Sequence, residues 1–160
     1  IKAELPDRNN LVIRPPEIGF TEQIELDLGG VTCHLVHVGG DHASDSIVVY
    51  VPQDKIMFLG DCLSPDIYSV ERRYTTAKLF PLLDRLLSFD ADYYLAGHND
   101  EPITRAEMIA EAALLKTIGQ TVDAHGIDRA AIMVELSHVI DHPIDEEIEE
   151  IVGEFIAGLR

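Results

Sequence analysis

The stretch GGDHASDSIVVYVPQDKIMFLGDCL, residues 39–63, decides the fold. It opens with two glycines, an aspartate and a histidine. SIVVYV then runs apolar and β-branched with little polar alternation, the pattern of a buried strand. Pro52-Gln53-Asp54-Lys55 makes a turn, and IMFLGD returns as a second strand ending in glycine and aspartate. His42 and Asp61 therefore fall in glycine-rich turns at strand ends, where the backbone can pass close to a bound group.

The pattern extends in both directions. Upstream, QIELDL (23–28) alternates with period two, as a half-buried strand does. Gly29-Gly30 turns it into VTCHLVHV (31–38). Downstream, AKLFPLLDRLLSF (77–89) carries apolar residues at helical spacing, with Pro81 expected in its first turn or at a kink. DYYLAG (92–97) is a short strand that ends at His98. From Thr104 the period changes to that of helices. Thr104 with Glu107 forms a capping box, and AEMIAEAALLKTIGQTVDAH follows up to Gly126, a suitable C-cap. DRAAIMVELSHVI and DEEIEEIVGEFIAGL predict two further helices, the last with acidic residues in its favoured first turn. The order of strands, helix, strand and helical tail predicts an α/β fold, divided as residues 1–103 and a helical extension, 104–160, packed on the same domain.

The 160 residues carry a net charge of −17. Such a chain lacks the basic surface that nucleic acids and anionic membranes require, so neither is expected as a partner. A small-molecule substrate is expected instead. Two cysteines, Cys33 and Cys62, make no disulfide framework, which points to a reducing, cytoplasmic setting. The opening IKAELPDRNN, without an initiator methionine, carries the expectation of a processed or truncated product.

His42, Asp61 and His98 share one situation: each follows a strand end and a glycine. Side chains so placed can converge on one edge of a sheet. Two imidazoles and a carboxylate suit zinc, with iron or manganese as alternatives, and three ligands leave positions open for water. His34 and His37 face opposite sides of one strand and are taken as structural. His125 is placed at a helix C-terminus, where a cation is favoured. His138 and His142 could share a helical face, but Pro143 is expected to break that helix. Cys62 is a soft donor whose side chain should point away from that of Asp61.

With these residues in order, residues 19–100 resemble the second half of a metallo-β-lactamase-fold hydrolase. The carriers are the glycine–histidine turn, the strand–proline turn–strand ending in Gly-Asp, and the strand ending in Gly-His. The 19 residues from His42 to Asp61 and the 37 from Asp61 to His98 fit the same family. The resemblance implies part of an αββα sandwich with two metal ions at one edge of the sheets. His42 would be a ligand of the first metal, Asp61 would bridge both, and His98 would be a ligand of the second. The implied reaction is hydrolysis of an ester, thioester, amide or phosphoester by metal-bound hydroxide. An aspartate at 61 looks more like the general hydrolases of the family than the true β-lactamases.

The family's H-x-H-x-D-H motif does not occur in these 160 residues. The catalytic residues it supplies are expected upstream of Ile1, and the chain alone is expected to be inactive. Two alternatives stand beside the hydrolase: a non-catalytic half-domain acting through protein association, as a homodimer or with the missing N-terminal half, and a di-iron or sulfur-handling oxidoreductase of the same fold. After Asp61, the segment SPDIYSVERRYTT offers Tyr68, Arg72 and Arg73 as contacts for an anionic substrate.

Overall fold

The computed structural model describes residues 11–160. The chain's opening, on which the expectation of truncation rests, lies outside the described residues. Six strands form one sheet in sequential order. They are β1 (Gln23–Asp27), β2 (Thr32–His37), β3 (Ile47–Val51), β4 (Ile56–Gly60), β5 (Tyr93–Ala96) and β6 (Ile103–Thr104). All neighbours are antiparallel except β4 and β5. That parallel pair needs a crossover, and α1 (Thr76–Leu87) supplies it. The helical tail comprises α2 (Arg105–His125), α3 (Arg129–Val139) and α4 (Glu146–Gly158).

The strands expected from period and composition are all present, and so are the helices. Pro81 lies in the second turn of α1 rather than the first, counting from the N-cap Thr75, and is exposed. Thr104 and Glu107 make the capping box in both directions. Gly126 takes a left-handed φ of 64° at the C-cap of α2, which a side chain would oppose. The α3 helix ends at Val139, before Pro143, so His138 and His142 do not share a helical face.

Strand alternation sorts the sheet into two faces. Val36, Val48, Tyr50, Met57, Leu59 and Tyr94 are buried in one cluster with Leu79, Leu82, Leu83 and Leu86 of α1. The cluster continues through Met108, Ile118 and Val122 of α2, Ile132 and Leu136 of α3, and Val152 and Phe155 of α4. The tail therefore shares the core of the sheet rather than forming one of its own. On the other face the registers align Ile24, Leu35, Val49, Phe58 and Leu95 in one row across five strands. Phe58 is 44% exposed there, with Ile47 and Tyr93 similarly open. This apolar face is uncovered among the described residues.

Candidate metal site

Three loops meet at the end of the sheet where β2, β4 and β5 stop. His42 follows β2, Asp61 follows β4 and His98 follows β5. Glycines permit the approach. Gly40 has φ +129°, and a Cβ there would stand 2.9 Å from the Cys62 carbonyl oxygen and 3.2 Å from Leu82. Only a residue without a side chain brings the His42 turn this close to the Asp61 turn. Gly97 donates its N–H to the Gly60 carbonyl at 2.9 Å. A Cβ on Gly97 would overlap Oδ1 of Asp61.

The result is a carboxylate between two imidazoles. Nε2 of His42 lies 3.9 Å from Oδ2 of Asp61, and Nε2 of His98 lies 3.4 Å from Oδ1. Each ring thus addresses a different oxygen. Two donors about 2.1 Å from one tetrahedral ion stand roughly 3.4 Å apart. The His98 pair has that separation and the His42 pair is somewhat wider. The donors fit zinc in kind, but each ion would receive one nitrogen and one oxygen from these residues. Among the described residues, no group of three His, Cys, Asp or Glu side chains is drawn together tightly enough to hold an ion by itself. The His42 side chain is 17% exposed and that of His98 is 84% exposed, so His42 is the fixed arm and His98 the open one. Nδ1 of His42 lies 3.4 Å from the Pro65 carbonyl. Such a contact to the second ring nitrogen orients the ring and leaves Nε2 for the site.

Cys62 packs into the core at 2% exposure, and burial pushes its thiol up to about 12. It is not available as a soft donor beside Asp61. His34 faces Glu25 and Tyr50, His37 contacts the Ser44 carbonyl, and His125 pairs with Glu135.

The loop after Asp61 is organised by Asp66, which sequence reasoning passed over. Its carboxylate accepts from the N–H groups of Tyr68 and Ser69, the Ser69 hydroxyl and Nε of Arg73. These bonds, the Ser69 hydroxyl foremost, hold the carboxyl down at about 2. Tyr68 is thereby set beside His42, with ring centroids 6.2 Å apart. The two arginines are already engaged. Arg73 pairs with Asp66, and Arg72 lies between Glu150 and Glu154 of α4. Oε1 of Glu154 is 3.1 Å from Arg72 Nε but accepts no well-directed hydrogen bond, and burial raises its carboxyl above the usual range. A cavity of about 390 Å³ opens on Asp61 and His98, walled further by Arg72, Tyr74, Glu111 and Glu147. The α2 and α4 helices thus supply one wall of the space in front of the site.

The strand ends thus present His42, Asp61 and His98 in this order, with α1 crossing between β4 and β5. The metallo-beta-lactamase superfamily model matches residues 2–98, and the chain belongs to that superfamily. It is 41% identical over 51 residues to a metallo-beta-lactamase type 2 from Bacteroides fragilis, covering 32% of this chain and 20% of that protein. A beta-lactamase domain protein from Burkholderia ambifaria superposes with a TM-score of 0.57 at 17% identity, covering 91% of this chain and 46% of that one. A metallo-beta-lactamase family protein from Thermus thermophilus gives 0.55 at 16%, covering 91% and 48%. The chain thus spans about half the length of these two structures. A share of 91% requires a match running well into the helices after Asp100. The tail, absent from the family-model match, is therefore part of the fold in these neighbours.

Proposed function

We propose that this chain is the metal-ligand-bearing C-terminal part of a zinc-dependent hydrolase. The observation that carries the reading is the Asp61 carboxylate with one imidazole on each oxygen. His42 and Asp61 would hold one ion, Asp61 and His98 the other. Zinc, or iron or manganese in its place, would supply an acidified water and polarise the scissile carbonyl or phosphoryl oxygen. Asp61 fixes the spacing of the two positions, the Pro65 carbonyl orients His42, and the α2 and α4 wall shapes the space for substrate. The ligands lacking from each ion are assigned to a segment outside these 160 residues, which leaves the chain inactive alone.

The substrate is read as a small molecule with an ester, thioester, amide or phosphoester bond. Pairing of Arg72 and Arg73 with carboxylates favours a substrate held by the metals over one held by these arginines. The net charge of −17 supports a partner other than nucleic acid or an anionic membrane. Among the described residues no helix is long and apolar enough to cross a membrane. Two free cysteines support a reducing, cytoplasmic setting. The apolar row from Ile24 to Leu95, uncovered among the described residues, supports a covering layer, from a segment outside the described residues or from a second copy of this chain.

The test is chelation. Hydrolysis of chromogenic esters, thioesters or phosphodiesters by a protein containing this chain should vanish on metal removal, return with zinc, and be lost in Asp61→Ala. Turnover that survives either treatment contradicts the reading. Ordinary zinc-dependent turnover by the 160 residues alone contradicts the need for outside ligands.

A further inference from the structure

The turn that carries His42 is tied down by its immediate neighbour. The Asp41 side chain is 2% exposed, and a buried carboxylate is costly unless donors meet both oxygens. They come from the start of α1. The Thr75 N–H donates to Oδ2 at 2.8 Å and the Thr75 hydroxyl to Oδ1 at 2.8 Å. The Lys78 ammonium stands 3.7 Å from Oδ1. Thr75 is the N-cap of α1, yet its hydroxyl does not cap the helix. It is turned instead to Asp41, and Asp41 brings negative charge to the helix's positive end.

The other end of the same junction reaches the helical tail. Tyr74, next to Thr75, donates its N–H to the Glu154 carbonyl of α4 at 3.1 Å. Its hydroxyl donates to the Leu63 carbonyl at 2.8 Å, two residues beyond Asp61. The C-terminal turn of α4 presses on it as well, since a Cβ on Gly158 would overlap the Tyr74 carbonyl. Two consecutive residues thus connect α4 to both loops of the site, Thr75 to the His42 loop and Tyr74 to the Asp61 loop.

We propose that Asp41 and Thr75 are a positioning pair for His42: their double hydrogen bond sets the imidazole against Asp61, and α4 holds the pair in place through Tyr74. The importance of the pair for metal binding rests on the reading of His42 as a ligand. Neither residue touches the metal positions. They act on the backbone of the Gly39–Gly40–Asp41–His42 turn, which both glycines leave free to move in the absence of an anchor.

The experiment compares the unaltered chain with Thr75→Val, Thr75→Ser and Asp41→Asn by side-chain NMR. Thr75→Val removes the hydroxyl and keeps the N–H, and Thr75→Ser restores the hydroxyl. Circular dichroism confirms folding, and Thr75→Val serves if Asp41→Asn does not fold. Without metal, the nuclear Overhauser contact between the His42 and Tyr68 rings should be lost in Thr75→Val and retained in Thr75→Ser. On titration with Zn²⁺ the response of His42 should need roughly tenfold more metal in Thr75→Val, the scale on which supporting residues act, while Thr75→Ser follows the unaltered chain. A Thr75→Val chain that keeps the ring contact and the zinc response overturns the proposal, as does a Thr75→Ser chain as impaired as Thr75→Val. If the unaltered chain shows no zinc response at His42 or His98, the ligand reading fails, and the metal-free ring contact still decides for or against the positioning pair.

Discussion

Gly97 lies directly under the carboxylate of Asp61, so close that a methyl group on residue 97 would overlap Oδ1 and stand 3.4 Å from the Gly60 carbonyl. The atom in the way is the end of a side chain that can swing aside. Gly97→Ala should therefore cost little stability, under about 1 kcal/mol, while moving Asp61 off its line with His98. Denaturant unfolding and zinc titration separate the two effects. A variant that binds zinc as the unaltered chain does would show that the place of Asp61 does not depend on Gly97.

Gly158 presents the opposite case, because the atom a methyl would strike is the backbone carbonyl of Tyr74. The segment from Tyr74 to Thr75 begins α1 and cannot yield without moving the helix. Gly158→Ala should destabilise by about 1–3 kcal/mol, the usual cost of overpacking, in equilibrium denaturation. A loss below about 0.5 kcal/mol, the range of neutral surface changes, would contradict the contact.

The architecture was legible because the strands keep their period. QIELD alternates, IVVYV is apolar throughout, and both strands occur where those patterns lie. The capping box of α2 was legible because both partners lie within four residues. What escaped is non-local or very short. The β6 strand has two residues, one of which is also the N-cap of α2, and no periodicity marks two residues. The role of Asp41 carries no local signal because its partner Thr75 is 34 positions away. Arg72 reads as a free cation because Glu150 and Glu154 arrive from the last helix. The placement of His42, Asp61 and His98 just after strand ends was legible from the strand pattern. The geometry of the site was not, because the approach of the His42 and Asp61 turns depends on Gly40 packing against Cys62.

Burial separates the two thiols. Cys62 is held in the core with its thiol raised to about 12, while Cys33 is partly exposed. A thiolate-selective reagent at pH 8 should modify Cys33 and spare Cys62 in the folded chain, and label both after denaturation. Equal labelling of the native protein would contradict the packing around Asp61.

Asp66 makes the loop beside His42 acid-sensitive. Its carboxyl sits at about 2 when folded, against an ordinary 3.8. The unfolded chain takes up the proton first as pH falls, so the contribution of Asp66 is complete above about 3.8. It is lost as pH falls toward 2. Carboxyl NMR should place the Asp66 midpoint near 2, and Asp66→Asn should loosen Tyr68 and Ser69 at neutral pH. An unshifted midpoint would show that the loop is not organised by this carboxylate.

Whether His42, Asp61 and His98 bind metal together is decided by a zinc titration followed at the imidazole nitrogens of all seven histidines. His42 and His98 should respond together while His34, His37, His125, His138 and His142 remain still, and Asp61→Ala should abolish both responses. Zinc taken up at any other histidine, or unchanged titration of His42 and His98 in Asp61→Ala, would contradict it.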